Sequence, residues 1–167
     1  MKKIVIHWTA STYTPNSTDK EHYHYLIDGD GKVIKGKYKP EDNLNCNDGK
    51  YAAHTGGGNT GSIGIALCGM LDYSYNGKIR KLGEYPLKQI QFERAYELCA
   101  QLCKKYALNI NPITVMTHYE FGKRNPQTSS VGKIDINFIP YNPTLKPDEV
   151  GDFIRAKVRY YYLKINS

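Results

Sequence analysis

Ile4-Val5-Ile6-His7-Trp8-Thr9-Ala10-Ser11 is the stretch on which the reading of this chain turns. Three consecutive β-branched residues predict a short buried strand. The strand delivers His7 at its end, where the small and polar run Thr9-Ala10-Ser11 breaks the pattern. Strand ends beside loops are where ligands and catalytic groups collect, and imidazole serves both purposes. On His7 alone, a rim histidine satisfied by a backbone carbonyl is the more economical reading. What changes it lies far downstream, in Thr117-His118-Tyr119-Glu120 and Lys133-Ile134-Asp135.

Outward from that strand, residues 11–20 read as a loop or one helical turn. Glu21-His22-Tyr23-His24-Tyr25-Leu26-Ile27 then reads as a second strand, Asp28-Gly29-Asp30-Gly31 as a tight turn, and Lys32-Val33-Ile34-Lys35-Gly36 as the return strand of a hairpin. Period two places Tyr23, Tyr25 and Ile27 on one face and His24 and Leu26 on the other. A regular strand therefore cannot send Tyr23 and His24 into one pocket. After a surface loop over 37–50 comes Tyr51-Ala52-Ala53-His54-Thr55-Gly56-Gly57-Gly58-Asn59, whose glycines permit close backbone approach. It lacks the Lys-Ser/Thr end of a phosphate-binding loop, and a strand follows it instead of a helix. That strand, Ser62 to Gly69, is nearly all apolar or small and reads as central, covered on both faces.

Residues 72–85 form a polar loop, and Pro86 opens a helix in which Ile90, Leu98, Cys99, Leu102, Cys103 and Tyr106 recur at three and four. Ile113 to His118 is a further strand, again ending in histidine, and 119–132 is a loop. A last helix over 148–165 turns Val150, Phe153, Ile154, Val158, Tyr161 and Ile165 inward and Arg155, Lys157, Arg159 and Lys164 outward. The order predicts one α/β domain over residues 1–167, a central mixed sheet flanked by helices, with no separate wall-binding domain.

A chain of 167 residues, 40% of them hydrophobic, is long enough to bury a core. No apolar run approaches the roughly 18 residues of a membrane span. The start lacks the apolar stretch of roughly 7–15 residues that a signal peptide needs, which predicts synthesis in the cytoplasm. The formal charge of +7 favours an anionic partner, but the basic residues are scattered and form no nucleic-acid motif, so nucleic acid is not expected. None of the four cysteines forms a C-x-x-C pair, and all four are read as reduced.

Two histidines at strand ends with a carboxylate nearby are a donor set that zinc accepts, and three protein ligands leave a fourth position for water. Spacing alone leaves open that His7, His118 and Asp135 never meet. The chain resembles the zinc-dependent N-acetylmuramoyl-L-alanine amidases of the phage-lysozyme and peptidoglycan-recognition-protein type. The resemblance rests on Ile6-His7-Trp8-Thr9-Ala10-Ser11, Tyr23-His24-Tyr25 before Asp30-Gly31, His54-Thr55-Gly56 with Asn59 and Ser62-Ile63-Gly64-Ile65, then Thr117-His118 and Lys133-Ile134-Asp135, all in the family's order.

The resemblance implies a peptidoglycan-recognition-protein-like amidase fold and hydrolysis of the amide between N-acetylmuramic acid and L-alanine. His7, His118 and Asp135 would bind zinc. Tyr23 would sit beside the attacking water, and Lys133 would face the developing oxyanion. His54, Thr55 and Asn59 would line the substrate groove. Glu120 is either the general base or a partner holding a ligand histidine. Three features depart from the family: the segment from His7 to Tyr23 is too short for the usual helix, 119–132 is long and expected to form a flap, and Ile136 stands where proline is common. The expected setting is a monomeric phage or prophage endolysin, made in the cytoplasm and acting on the wall after release or export. The rival reading is a peptidoglycan-binding module without activity.

Overall fold

The computed structural model describes residues 1–165; the last two residues of the expected domain lie outside them. Five strands form one sheet: β1 (Lys3–Trp8), β2 (Tyr25–Ile27), β3 (Val33–Lys35), β4 (Ser62–Leu67) and, after a two-stranded ribbon of β5 (Ser74–Tyr75) and β6 (Arg80–Lys81), β7 (Val115–Thr117). The sheet order is β3-β2-β4-β1-β7. The β1–β4, β1–β7 and β2–β4 pairs are parallel and β2–β3 is antiparallel, so the sheet is mixed. Helices α1 (Ser17–His22), α2 (Gln89–Lys105), α3 (His118–Arg124) and α4 (Pro147–Ile165) complete the α/β domain. Among the described residues no helix is long and apolar enough to cross a membrane.

Side-chain alternation divides β1 between two environments. Ile4, Ile6 and Trp8 enter the main core with Ile63, Ile65 and Leu67 of β4 and the buried faces of α2 and α4. Val5 packs instead with Met116 and Phe121 on the opposite face, and His7 shares its parity. On that second face β4 offers only small residues, Ser62, Gly64 and Ala66. A Cβ on Gly64 would lie 2.5 Å from Cγ of His54, so the missing side chain is what lets that ring lie against the sheet.

Several local expectations change. Residues 17–22 are helical because Asn16 and Asp19 form a capping box: Asn16 Oδ1 accepts from the Asp19 amide at 2.8 Å, and the Asp19 carboxylate accepts from the Asn16 amide at 3.1 Å. The short segment from His7 to Tyr23 thus does hold a helix. The second strand starts only at Tyr25. Helix α2 starts after Lys88, whose amide donates to Gln91 Oε1 at 2.9 Å, not at Pro86. Gln91 is buried and donates to the Ile27 and Cys68 carbonyls, which fastens the helix to the sheet. Ile90, expected on the buried stripe, is 45% exposed, because the first turn of α2 overhangs Gly31 of the hairpin. Residues 118–124 are helix instead of loop, and Arg155, expected outward, is buried. Cys68, Cys99 and Cys103 are buried free thiols, and Cys46 is a partly buried one.

Candidate metal centre

The parallel pairing of β1 with β7 brings the two strand-end histidines together. Ile6 registers with Thr117, so the next residue of each strand, His7 and His118, emerges beside the other. His118 is also the first residue of α3. Thr117 caps this helix, accepting from the Glu120 amide at 3.1 Å while its own amide donates to Glu120 Oε2 at 3.0 Å. The Tyr119 amide donates to the Asp135 carbonyl at 3.2 Å, which draws the third residue in.

The three candidate ligands converge. His7 Nδ1 lies 2.8 Å and His118 Nδ1 3.0 Å from Asp135 Oδ2, and the two Nδ1 atoms are 3.1 Å apart. All three residues are buried. Tetrahedral zinc with bonds of about 2.0–2.2 Å would hold its donors a little over 3 Å apart, so this triangle fits one ion after a small expansion. The far nitrogens are already engaged: His118 Nε2 is 3.0 Å from Ser130 Oγ, and His7 Nε2 is 3.1 Å from His54 Nδ1 and 3.3 Å from Thr55 Oγ1. That leaves the Nδ1 lone pairs as the available donors, the arrangement expected of metal-binding histidines.

Burial favours the neutral form of His7 and His54. It pulls His7 down to about 4, against the opposing pull of Asp135, and holds His54 well below the usual histidine range. For Asp135, burial by itself would raise the carboxyl; the close contacts with His118 and His7 outweigh it and hold the group below the usual carboxylate range. Neutral imidazoles and an ionised carboxylate are the protonation states a metal requires.

His118 and Asp135 line an open cleft of about 500 Å³, with His7 fully buried behind them, Tyr23, His54 and Lys133 also on its walls and Trp8, Met70 and Tyr73 as apolar lining. The Tyr23 ring centroid is 5.2 Å from that of His7. Because the strand begins at Tyr25, Tyr23 is free to leave the end of α1 toward the cleft, while His24 packs beneath His54 with ring centroids 5.5 Å apart. Tyr23 lines the cleft and His24 does not, so the two face different environments as expected, although neither belongs to the strand. Burial, followed by the Asp135 charge, pushes the Tyr23 hydroxyl well above its ordinary value, so it stays a hydrogen-bond donor at neutral pH.

Three expected residues do other work. Asn59 Oδ1 accepts from the His54 and Thr55 amides at 3.0 and 2.8 Å; it shapes the loop and does not line the cleft. Thr55 is buried against His54 and His7. Glu120 reaches no ligand histidine. Its carboxylate accepts two bonds from Arg155, at 2.8 and 3.0 Å, which removes it as a general base. Gly151 permits this approach, since any side chain there would meet the Glu120 carboxylate. Sequence reasoning missed Ser130 and Arg155: one sits in an ordinary-looking polar loop and the other in a basic helix stripe. The segment 119–132 begins as α3 and packs its later part against the glycine loop, so it is not a free flap, and of it Gly132 lines the cleft.

A mixed sheet with two buried histidines at the ends of adjacent strands, and a buried aspartate brought to them by a turn, defines a hydrolase-like site of the peptidoglycan-recognition-protein fold. The chain belongs to the N-acetylmuramoyl-L-alanine amidase family, whose sequence profile matches residues 1–132, and it is a peptidoglycan amidase. The matched span ends one residue before Lys133, so Lys133 and Asp135 rest on the geometry and not on that match. The fold is similar to that of hydrolase AmiA of Staphylococcus aureus, solved with its ligand, at 14% identity and TM-score 0.57 over 99% of this chain and 75% of that one. It is similar to the amidase LysC of Clostridium intestinale URNW at 16% identity and TM-score 0.52, over 95% and 85% of the two chains. Peptidoglycan recognition protein SD of Drosophila matches at 21% identity and TM-score 0.47, over 77% and 74%. No curated protein sequence matches the chain.

Proposed function

We propose that this amidase is zinc-dependent, that His7, His118 and Asp135 hold the ion, and that it cuts between the lactyl group of muramic acid and L-alanine as a phage or prophage endolysin. The observation that carries this reading is the convergence of two imidazole nitrogens and a carboxylate oxygen on one point beside an open cleft, with the far nitrogens of both histidines occupied. Zinc bound there supplies an activated water and polarises the amide carbonyl.

The chain's own groups account for the rest. The cleft orients the scissile amide over the triad, and its apolar wall of Trp8, Met70 and Tyr73 gives flat surface for a sugar ring. As the carbonyl carbon becomes tetrahedral, negative charge grows on its oxygen. Tyr23, held protonated by burial, donates a hydrogen bond to that oxygen, and Lys133 on the cleft wall brings a positive charge. A single such donor is typically worth about 3–4 kcal/mol of barrier. The charge of +7 suits approach to an anionic wall.

Digestion of purified peptidoglycan with and without a chelator, read by mass spectrometry, tests the reading. Free stem peptides beginning at L-alanine, lost with chelator and restored by zinc, are expected. Intact wall with zinc bound one-to-one would favour the binding module, and chelator-insensitive cleavage would remove the metal. Lysis of intact host cells from within, on expression beside a pore-forming protein, tests the endolysin setting.

A further inference from the structure

Ser130 is fully buried and lies neither in the histidine-containing strand ends nor on the cleft wall. Its hydroxyl has two neighbours, the Gly56 carbonyl oxygen at 2.8 Å and His118 Nε2 at 3.0 Å. A carbonyl only accepts, so the single hydroxyl proton of Ser130 is directed at Gly56. The oxygen is then an acceptor toward His118, and the proton in that contact belongs to Nε2. With Nε2 protonated, neutral His118 carries its lone pair on Nδ1, the atom that faces His7 and Asp135.

The glycine loop makes this possible. A side chain on Gly56 would meet Ser129, one on Gly57 would meet Thr128, and one on Gly58 would meet the Phe121 ring. Without those side chains, the segment 121–130 lies directly on the loop backbone and Ser130 spans the gap between Gly56 and His118.

We propose that Ser130 is a positioning residue: backed by the Gly56 carbonyl, it keeps the His118 proton on Nε2 and presents Nδ1 to the metal. The proposal rests on the zinc reading above and adds a residue to it. Partners of this kind typically contribute about 10-fold to 100-fold in metal affinity.

The test is made on zinc-loaded protein by nitrogen-15 NMR of the histidine rings, together with zinc competition against a chromophoric chelator. In the wild type, His118 is expected to show a slowly exchanging Nε2–H with the metal on Nδ1. In Ser130→Ala that proton should exchange rapidly, and zinc affinity should fall by about tenfold or more with an unchanged circular dichroism spectrum. Zinc on Nε2 of His118, or an affinity unchanged in Ser130→Ala, would overturn the proposal while leaving the metal site standing. Wild-type protein that takes up no zinc would overturn the metal reading itself. The wild-type spectrum decides the tautomer whether or not the variant folds.

Discussion

Arg155 of α4 holds the Glu120 carboxylate with two N–H groups, at 2.8 and 3.0 Å, and Glu120 in turn caps the helix that begins with His118. The same guanidinium donates to the Val115 carbonyl of β7 at 2.9 Å. One buried cation thus ties the C-terminal helix, the edge strand and the helix start that carries a ligand. The arrangement sits behind the cleft and touches no substrate, yet it sets where His118 stands.

Replacing Arg155 by Met keeps most of the volume and removes every one of these donors. Glu120 is then left largely buried with only the Arg124 guanidinium, 3.9 Å away, and breaking such a pair costs up to about 3–5 kcal/mol. Denaturant unfolding should show a loss in this range, with zinc affinity reduced as the α3 cap loosens. Arg155→Lys should recover only part of it, because an ammonium cannot grip two carboxylate oxygens and a carbonyl in that geometry. A loss below 1 kcal/mol in Arg155→Met would show that the network is dispensable.

His118→Ala and Lys133→Ala separate binding from chemistry. The first should abolish stoichiometric zinc and activity while leaving the fold intact, since the sheet does not depend on that ring. The second should keep zinc and lower kcat by about 100-fold to 1,000-fold, the usual cost of one oxyanion donor. Full activity in Lys133→Ala would remove its assigned role.

Acid should destabilise the protein well above the carboxylate range. His24 is buried, its Nδ1 accepts from the Gly64 amide at 2.9 Å, and its Nε2 donates to Asn43 Oδ1 at 2.8 Å. Burial lowers it from 6.5 to about 4. The unfolded chain therefore binds this proton first as pH falls, so stability drops between pH 6.5 and about 4 and the loss is complete below that window. The span corresponds to about 3 kcal/mol at roughly 1.4 kcal/mol per unit. Unfolding free energies of wild type and His24→Gln, measured across this range, should converge toward low pH. Parallel curves would mean that His24 is not the group responsible.

Ile136 follows the third ligand directly and has φ 62, in the left-handed region, while being fully buried. Proline cannot reach that angle, so this chain leaves Asp135 by a route closed to the residue common in its family. A β-branched residue there is strained, at a cost of about 1–2 kcal/mol. Glycine normally destabilises relative to alanine, but here Ile136→Gly should be more stable than Ile136→Ala by about 1 kcal/mol, with both below wild type for loss of packing. Thermal unfolding of the pair gives the sign directly, and the ordinary order would contradict the strained backbone.

The strand over Ile4–His7 and the central strand were legible as short β-branched or apolar runs, the hairpin by its Asp-Gly turn, and both long helices by their three-and-four apolar spacing. The capped helices were not. The boxes Asn16–Asp19 and Thr117–Glu120 occupy stretches too short and too polar to show an apolar stripe. Thr55 and Asn59 were read as groove residues from their place in a motif. Their side chains turn inward to hold the loop, a direction that depends on packing against β4.

By itself the sequence determined which residue types are available to the site and where the strands deliver them. His7 and His118 each follow a run rich in β-branched residues, the composition that suits a pleated, buried surface. Whether those two strands lie side by side was decided by the tertiary structure alone. The pairing of Ile6 with Thr117 depends on long-range contacts between segments more than a hundred residues apart, and no local preference encodes it. The same holds for Ser130 behind His118 and Arg155 behind Glu120. Hydrogen bonds of buried groups are settled by what else is within 3 Å, and only the folded chain brings those atoms within reach.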